Sequence, residues 1–274
     1  GAIQLDGLSW PTADGSADQV LKTDGSGSLS WTAASSGASN VNGLSDALIE
    51  DNSLYLGQDP SSTTSTAEYN LSVGATALDA VTTGDANIAI GHDALSANTT
   101  GSGNIAIGYG AYDNADTEGN NMAIGRDALG GSINGGETNI AIGNYSLDAN
   151  TSGDLNIGLG YVALTQNSTG SSNVGIGNSA MQLNQTGSSN TTLGNNSMKS
   201  SLSSSYNTAV GAEALFDANR TADTDGYNTA LGYNAGNTGT NDITTGNKNT
   251  LLGASTAASA AAGTNQTIIG YGAS

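Results

Sequence analysis

A five-residue phrase recurs through this chain at an almost fixed spacing of 17 residues: usually Asn, then an aliphatic residue or Thr, a residue that is small in most copies, an aliphatic residue and Gly. Thirteen copies are closed by Gly57, Gly74, Gly91, Gly108, Gly125, Gly143, Gly160, Gly177, Gly194, Gly211, Gly232, Gly253 and Gly270. Such a period predicts a solenoid, in which each repeat forms one coil and neighbouring coils share a core. The repeat is a stronger indication of the fold than the composition is, because 40 Gly and 5% aromatic residues alone would suggest a disordered linker.

Within the phrase, aliphatic and small residues alternate with the period of a β-strand. In the copy from Asn87 to Gly91, we expect Ile88 and Ile90 to point into the coil and Ala89 to point away from it. A small outward residue favours close packing against another copy of the chain. A second apolar position, four residues after Gly, predicts a second short strand in each coil, at Leu78, Leu95, Leu129, Leu147, Leu164, Met181, Met198 and Leu215.

The Asn that opens each phrase is predicted to stack on its neighbours in a hydrogen-bonded structural ladder. The ladder residues are Asn87, Asn104, Asn121, Asn139, Asn156, Asn173, Asn190 and Asn207. A polar row that binds a ligand is the less favoured alternative. With strands spaced about 4.8 Å apart, the stack should be roughly 60 Å long.

The first 50 residues lack this period, and we divide the chain into three parts. Residues 1–31 are predicted to be a small β-hairpin module that turns at Asp24-Gly25. Residues 32–52 form a spacer and connector, with one helical turn expected near its end, and residues 53–274 form the solenoid. Trp10 and Trp31 are interpreted as the small apolar core of the first module, with sugar stacking as the alternative.

The phrase from Asn87 to Gly91, followed by His92-Asp93-Ala94-Leu95, resembles the head repeats of trimeric autotransporter adhesins and similar repeats of phage tail fibres. The resemblance covers about residues 53 to 274. It implies an all-β fold, a left-handed parallel β-roll of about 13 coils, a homotrimer, and an attachment rod on a virion or in the extracellular space. The coil here is longer than in adhesin heads, which favours the phage type or a fragment of a longer protein.

The formal net charge is −19, with 24 acidic and 5 basic residues. Binding to phosphate needs the opposite sign, so we expect neither a nucleic-acid partner nor an anionic membrane surface. The chain has no Cys, which excludes disulfide and thiolate chemistry. No run approaches the ~20 apolar residues of a membrane span, so membrane insertion is not expected either.

The sequence contains few residues arranged in a way that is typical of a catalytic site. His92 is the only histidine, and the carboxylates are scattered rather than paired at a recurring position. We therefore expect no enzyme activity, no cofactor and no metal. A fragment of a calcium loop, Asp223-x-Asp225-Gly226, lacks the later acidic ligand and is better interpreted as a solvated turn.

Four side chains are candidates for surface contacts: Tyr109, Tyr161, Tyr233 and Phe216. The three tyrosines follow the Gly of the phrase and should lie along one side of the rod. They are suited to stacking on glycans or to packing between chains, and packing is slightly favoured. Phe216 begins one of two longer loops.

The leading functional hypothesis is a structural and adhesive fibre, a trimeric rod whose partners are copies of itself and a cell-surface glycan or receptor. One alternative is a bacterial extracellular adhesin or filament. Another is an ice- or surface-binding solenoid, which needs a flat Thr array. Thr occupies the first aliphatic position only in later copies and is expected to point inward there, at Thr191, Thr208, Thr229 and Thr250. A glycan-processing tailspike would need paired acids, which are not visible.

Overall fold

The computed structural model describes residues 4–5, 8–13, 15–17, 19–33, 47–57, 66–131, 135–218, 226–239 and 242–274. The chain divides into two compact units, Gly1–Ser45 and Asp46–Ser274. Every regular element of the described residues is a β-strand.

The first unit contains two antiparallel strand pairs. Strand β1 (Gln4–Leu5) pairs with β2 (Leu8–Ser9), and β3 (Gln19–Thr23) pairs with β4 (Leu29–Ala33). The turn of the second pair is held by Asp24, whose carboxylate accepts hydrogen bonds from the backbone N–H groups of Ser26 and Ser28 at 2.8 and 3.0 Å. These hydrogen bonds lower the pKa of Asp24 to about 2. The hairpin therefore turns at the Asp-Gly signal.

Trp10 and Trp31 are exposed, at 40% and 38%, so the prediction that they form a buried apolar core of this unit was wrong. The indole Nε1 of Trp31 donates to the carbonyl of Ala13 at 2.8 Å. The ring also lies over Gly15, where an added Cβ would come within 2.7 Å of it. Trp31 thus packs within its own module.

The second unit is a parallel β-solenoid that forms one sheet of fourteen strands. Its first strand, β5 (Ala47–Glu50), pairs antiparallel with β6, so the helical turn predicted near the end of the connector was wrong. Thirteen parallel strands follow: β6 Ser53–Gly57, β7 Leu71–Gly74, β8 Ile88–Ile90, β9 Ile105–Ile107, β10 Met122–Ile124, β11 Ile140–Ile142, β12 Ile157–Leu159, β13 Val174–Ile176, β14 Thr191–Leu193, β15 Thr208–Val210, β16 Thr229–Leu231, β17 Thr250–Leu252 and β18 Thr267–Ile269.

Equivalent residues of successive phrases pair throughout the stack. Met122 pairs with Ile140 across an 18-residue step, and Thr208 pairs with Thr229 across a 21-residue step. The extra residues of the longer steps therefore lie between strands, and the sheet continues without a slip.

The side of the strand that faces the interior is the reverse of the prediction. The small middle residue, such as Ala89 or Ala141, is fully buried, whereas the aliphatic residues on either side of it lie on the outer surface. Alternation fixes which residues share a face but does not say which face is inside. The middle residue must be small because side chains from the turn on the opposite side of the coil occupy the interior. A Cβ on Gly158 would lie 2.5 Å from Ser146 Oγ and 3.3 Å from Leu147 Cγ.

The predicted second strand of each coil is also wrong. The apolar residue after the Gly is buried as expected, but it lies in a turn with a positive φ, for example 53° at Leu95 and 54° at Leu164. In the described residues, the solenoid therefore has one parallel strand per coil, and turns, bends and irregular segments connect these strands. The left-handed conformation of these leucines places their side chains against the small middle residues of the sheet.

The Gly that closes each phrase is required by both its conformation and its contacts. Gly143 has a φ of 132°, and an added Cβ would lie 2.3 Å from the carbonyl oxygen of Gly160 in the next coil. Any larger residue would be strained and would push two coils apart.

Candidate functional site

The outer surface of the parallel sheet is the most distinctive surface of the solenoid, and we call it the outer face. In each coil it is built on a seven-residue segment, from the residue before the lead Asn to the residue after the Gly, in which the lead residue and the middle residue of the phrase point inward. Strand β6 adds Leu54 and Leu56 to the same surface. The twelve segments are 69–75, 86–92, 103–109, 120–126, 138–144, 155–161, 172–178, 189–195, 206–212, 227–233, 248–254 and 265–271.

The outer face contains no Asp or Glu. With the two inward positions of each segment left out, an even distribution of the chain's 24 acidic residues over 274 positions would place about five among the remaining 60 residues. Its ionisable groups other than tyrosine are instead His92, Arg126 and Lys248. The face of a chain with a net charge of −19 thus contains no carboxylate of its own, and acidic residues such as Asp93 and Asp127 lie at its edges, where they contact His92 and Arg126.

Two outward columns of side chains run along this face. In β6–β13 both columns are aliphatic or Met, and neighbouring side chains leave all but Leu159 only partly exposed. In β14–β18 the first column is Thr and the second remains aliphatic, and all of these residues except Val210 are exposed.

The predicted inward orientation of the threonines was therefore wrong. The column of outward residues is Thr191, Thr208, Thr229, Thr250 and Thr267. Thr192, the middle residue of its phrase, is the one that points inward, and its hydroxyl donates to the carbonyl of Val174 at 3.1 Å.

The edges of the outer face carry exposed tyrosines. Tyr109 lies between His92, whose ring stacks on it at 5.4 Å, and Arg126, whose guanidinium lies 5.4 Å from the ring centroid. Tyr161 meets Tyr145 edge to face at 6.3 Å. The faces of Tyr109 are therefore occupied by its own chain.

The other two candidate contact residues lie in the longer coils. Tyr233 is 56% exposed, and the equivalent positions in the coils on either side are Ala212 and Ala254. The faces of the Tyr233 ring are therefore more accessible than those of Tyr109. Phe216 is only partly exposed, and Lys199 Nζ lies 6.0 Å from its ring centroid.

The lead asparagines form a continuous buried ladder. Each side-chain oxygen accepts from the backbone N–H of the next lead residue; the N–H of Asn156, for example, donates to Asn139 Oδ1 at 2.9 Å. Most of the side-chain nitrogens donate to a carbonyl in their own coil, as Asn156 Nδ2 does to Gly170 at 2.8 Å, whereas Asn207 Nδ2 donates to oxygens of the preceding coil, among them Ser204 Oγ at 2.8 Å. The pattern spans Asn70, Asn87, Asn104, Asn121, Asn139, Asn156, Asn173, Asn190, Asn207, Asn228 and Asn249. Because these groups are buried, they hold coils together and are not open to a ligand.

A second buried row of asparagines was not recognised in the sequence. Asn167 Nδ2 donates to Asn150 Oδ1 at 2.9 Å, and Asn184 Nδ2 donates to Asn167 Oδ1 at 2.7 Å. The recurrence of Asn at the repeat spacing could have revealed it.

Five carboxylates also follow a pattern that was missed. Asp79, Asp93, Asp113, Asp127 and Asp148 supply one acid to each of five successive coils, alternating between two positions of the repeat. Burial, together with the neighbouring carboxylates, raises the pKa of Asp79, Asp113 and Asp148 above the usual range.

Neither a metal nor a membrane site emerges from the part of the chain that the structure describes. It contains no group of three or more His, Cys, Asp or Glu side chains suited to a metal ion. Within it, no helix could cross a membrane. Asp223 and Asp225 of the calcium-like fragment lie outside the described residues.

Comparison with known proteins gives no relative. No family model matches the chain, and neither the curated proteins nor the solved structures contain a match.

Proposed function

We propose that the protein is a structural and adhesive fibre, a homotrimeric β-solenoid rod on a virion or cell surface that takes part in attachment. The observation that supports this is the acid-free, largely aliphatic outer face. Identical chains of charge −19 repel one another, and they can approach closely where neither contributes a carboxylate. A face of this kind is suited to another copy of the same chain.

The size of the outer face agrees with a stable contact. Five residues of extended chain span about 16 Å, and thirteen strands stacked about 4.8 Å apart extend about 58 Å. The product is on the order of 900 Å² per chain, against about 800 Å² per partner in ordinary stable interfaces. Exposed apolar patches larger than a few hundred Å² usually mark interaction sites.

Three copies fit the geometry of this face. Three flat sheets about 16 Å wide, closed around one axis, each stand about 5 Å from that axis, which is half of the usual ~10 Å spacing of packed sheets. Side chains such as Ile107 and Ile124 can fill that distance and leave no central channel. The resemblance to trimeric fibre repeats supports the same number of chains.

Attachment would use the surfaces that remain exposed along such a rod. Tyr161 and Tyr233 present aromatic rings at an edge of the outer face, which suits weak stacking on a cell-surface glycan or receptor. A trimer repeats each contact three times, so individually weak contacts add up to useful avidity.

The test of the assembly is the mass in solution, measured by light scattering coupled to gel filtration. A trimer should give three times 26.9 kDa. Ile124→Glu places a charge in the outer face and should yield a folded monomer, whereas Ser152→Glu adds the same charge to an exposed loop and should leave the trimer intact. A native chain that is a folded monomer would refute the rod of three chains.

One observation favours a second candidate, a solid-surface-binding solenoid such as an ice binder. The outward column of five threonines supplies regularly spaced hydroxyl and methyl groups on a flat sheet. This function needs a free outer face and therefore a monomer. Inhibition of ice recrystallisation by the monomer, abolished by Thr229→Lys, would support it over the fibre.

A further inference from the structure

The outer face changes character part-way along the solenoid. Its first outward column is aliphatic or Met in β6–β13 and Thr in β14–β18, while its second column is aliphatic throughout. The boundary falls between Val174 and Thr191. It divides the outer face into an aliphatic part of eight strands and a threonine part of five.

The hydroxyls of the threonine part have no partners in the described chain. The side chains of Thr191, Thr208, Thr229, Thr250 and Thr267 are exposed, and none of them hydrogen-bonds to another described residue. A hydroxyl that is buried without a hydrogen bond costs free energy, whereas an aliphatic side chain gains by burial. Burial in a contact without water is therefore favourable for the aliphatic part and unfavourable for the hydroxyls of the threonine part.

We propose that copies of the chain associate parallel and in register, that β6–β13 form the dry, cohesive contact, and that β14–β18 meet across a hydrated seam. This inference rests on the proposed function, because it takes the outer face as the contact between chains. Water bridges two hydroxyls almost as well as a direct hydrogen bond does, so a wet seam satisfies the threonines.

Three copies around one axis are necessarily parallel, and the position of the threonines along the stack independently favours parallel over antiparallel chains. In an antiparallel pair centred on the stack, β14–β18 of one copy would face β6–β10 of the other. Each Thr hydroxyl would then lie against side chains such as Leu71 or Ile88, which offer it no hydrogen bond. In register, hydroxyls meet at the same level of the rod and aliphatic side chains meet one another.

The absence of Cys makes single-cysteine variants a clean test. Ile105→Cys in β9 and Thr229→Cys in β16 both lie in the first outward column, one in each part. The assembled protein would be treated with a short bis-maleimide to detect cross-links, and separately with a thiol-reactive dye to measure accessibility. Ile107→Cys and Leu231→Cys in the second column repeat the comparison if a first variant fails to fold.

The inference expects cross-links between identical positions for both variants. It also expects Ile105→Cys to react with the dye at least tenfold more slowly than Thr229→Cys. In an antiparallel pair, the two copies of residue 105 would be about 29 Å apart and would not cross-link.

Absence of the cross-link at residue 105 in a multi-chain assembly would overturn the parallel arrangement. Equal protection of both cysteines would overturn the hydrated seam. A native chain that is monomeric by light scattering would instead refute the proposed function, so the failures are distinguishable.

Discussion

The eight strands β6–β13 and the five strands β14–β18 share one interior but differ in their outer surface. Inside, the same ladder continues: the lead N–H to Oδ1 distance is 2.9 Å at Asn156 and 3.1 Å at Asn228. Outside, an aliphatic column gives way to threonine. The interior of a solenoid is fixed by contacts that every coil must repeat, whereas the outer face is not under that constraint.

The first prediction tests whether the two regions share the same coil geometry. Gly143→Ala and Gly211→Ala each place a Cβ within 2.4 Å of the next coil's carbonyl oxygen at φ values of 132° and 135°. We expect each to cost about 3–5 kcal/mol of unfolding free energy, measured by thermal or denaturant melts. Gly135→Ala is the control. Its φ of 108° is also unfavourable for Ala, but an added Cβ would have no atom within 4 Å. A large difference between the first two variants would contradict a common interior.

The second prediction concerns the buried ladder. Asn156→Ala and Asn228→Ala each remove acceptors and donors that neighbouring buried backbone groups use. The expected loss is about 2–5 kcal/mol in both regions, by the same melts. Asn195→Ala, on the exposed edge, should cost little. If Asn228→Ala were nearly neutral, the ladder would be structural only in the first region.

The third prediction exchanges the outer surfaces of the two regions. Ile140→Thr and Thr229→Ile alter outward residues, so the fold should tolerate both changes. Association should weaken by about 1 kcal/mol per chain for the first variant and strengthen by a similar amount for the second. The measurement is the concentration dependence of the mass in light scattering. Equal effects of the same sign would remove the distinction between the two parts.

The fourth and smallest effect depends on pH and belongs to the first region. Burial raises the pKa of Asp113 above its unfolded value of 3.8. Its stabilising contribution is therefore complete below the unfolded pKa and is lost as pH rises through the folded pKa.

Asp113→Asn should consequently raise the melting temperature slightly at pH 7 and leave it nearly unchanged at pH 3. Thermal melts at the two pH values provide the measurement. Asp217→Asn, outside the row of five carboxylates, is the matched control. A variant that is less stable than the native chain at pH 7 would contradict the assignment.

The sequence predicted the solenoid, its period and the Asp24 turn because each rests on a local or repeated signal. It did not predict which side of the strand is buried, because the pattern Ile88-Ala89-Ile90 is equally compatible with either face. The strand expected at Leu95 failed for a different reason, since a positive φ at Leu is intrinsically disfavoured and only packing inside the coil selects it.

The candidate site was not predicted for the same reason, namely that the wrong side of each strand was assigned to the interior. With Thr208 and Thr229 assigned to the interior, neither the threonine column nor the outer face was recognised. The absence of acids from the seven-residue segments was visible in the sequence, but it gains meaning only once those segments form one surface.

Pairing in register across steps of 17, 18 and 21 residues makes each coil an interchangeable part. Unequal recombination between neighbouring repeats of the gene could add or remove one coil while leaving the strands above and below it correctly matched. Each such event would change the length of the solenoid by about 4.8 Å. The length of this protein is therefore a trait that can evolve in discrete increments without a new fold.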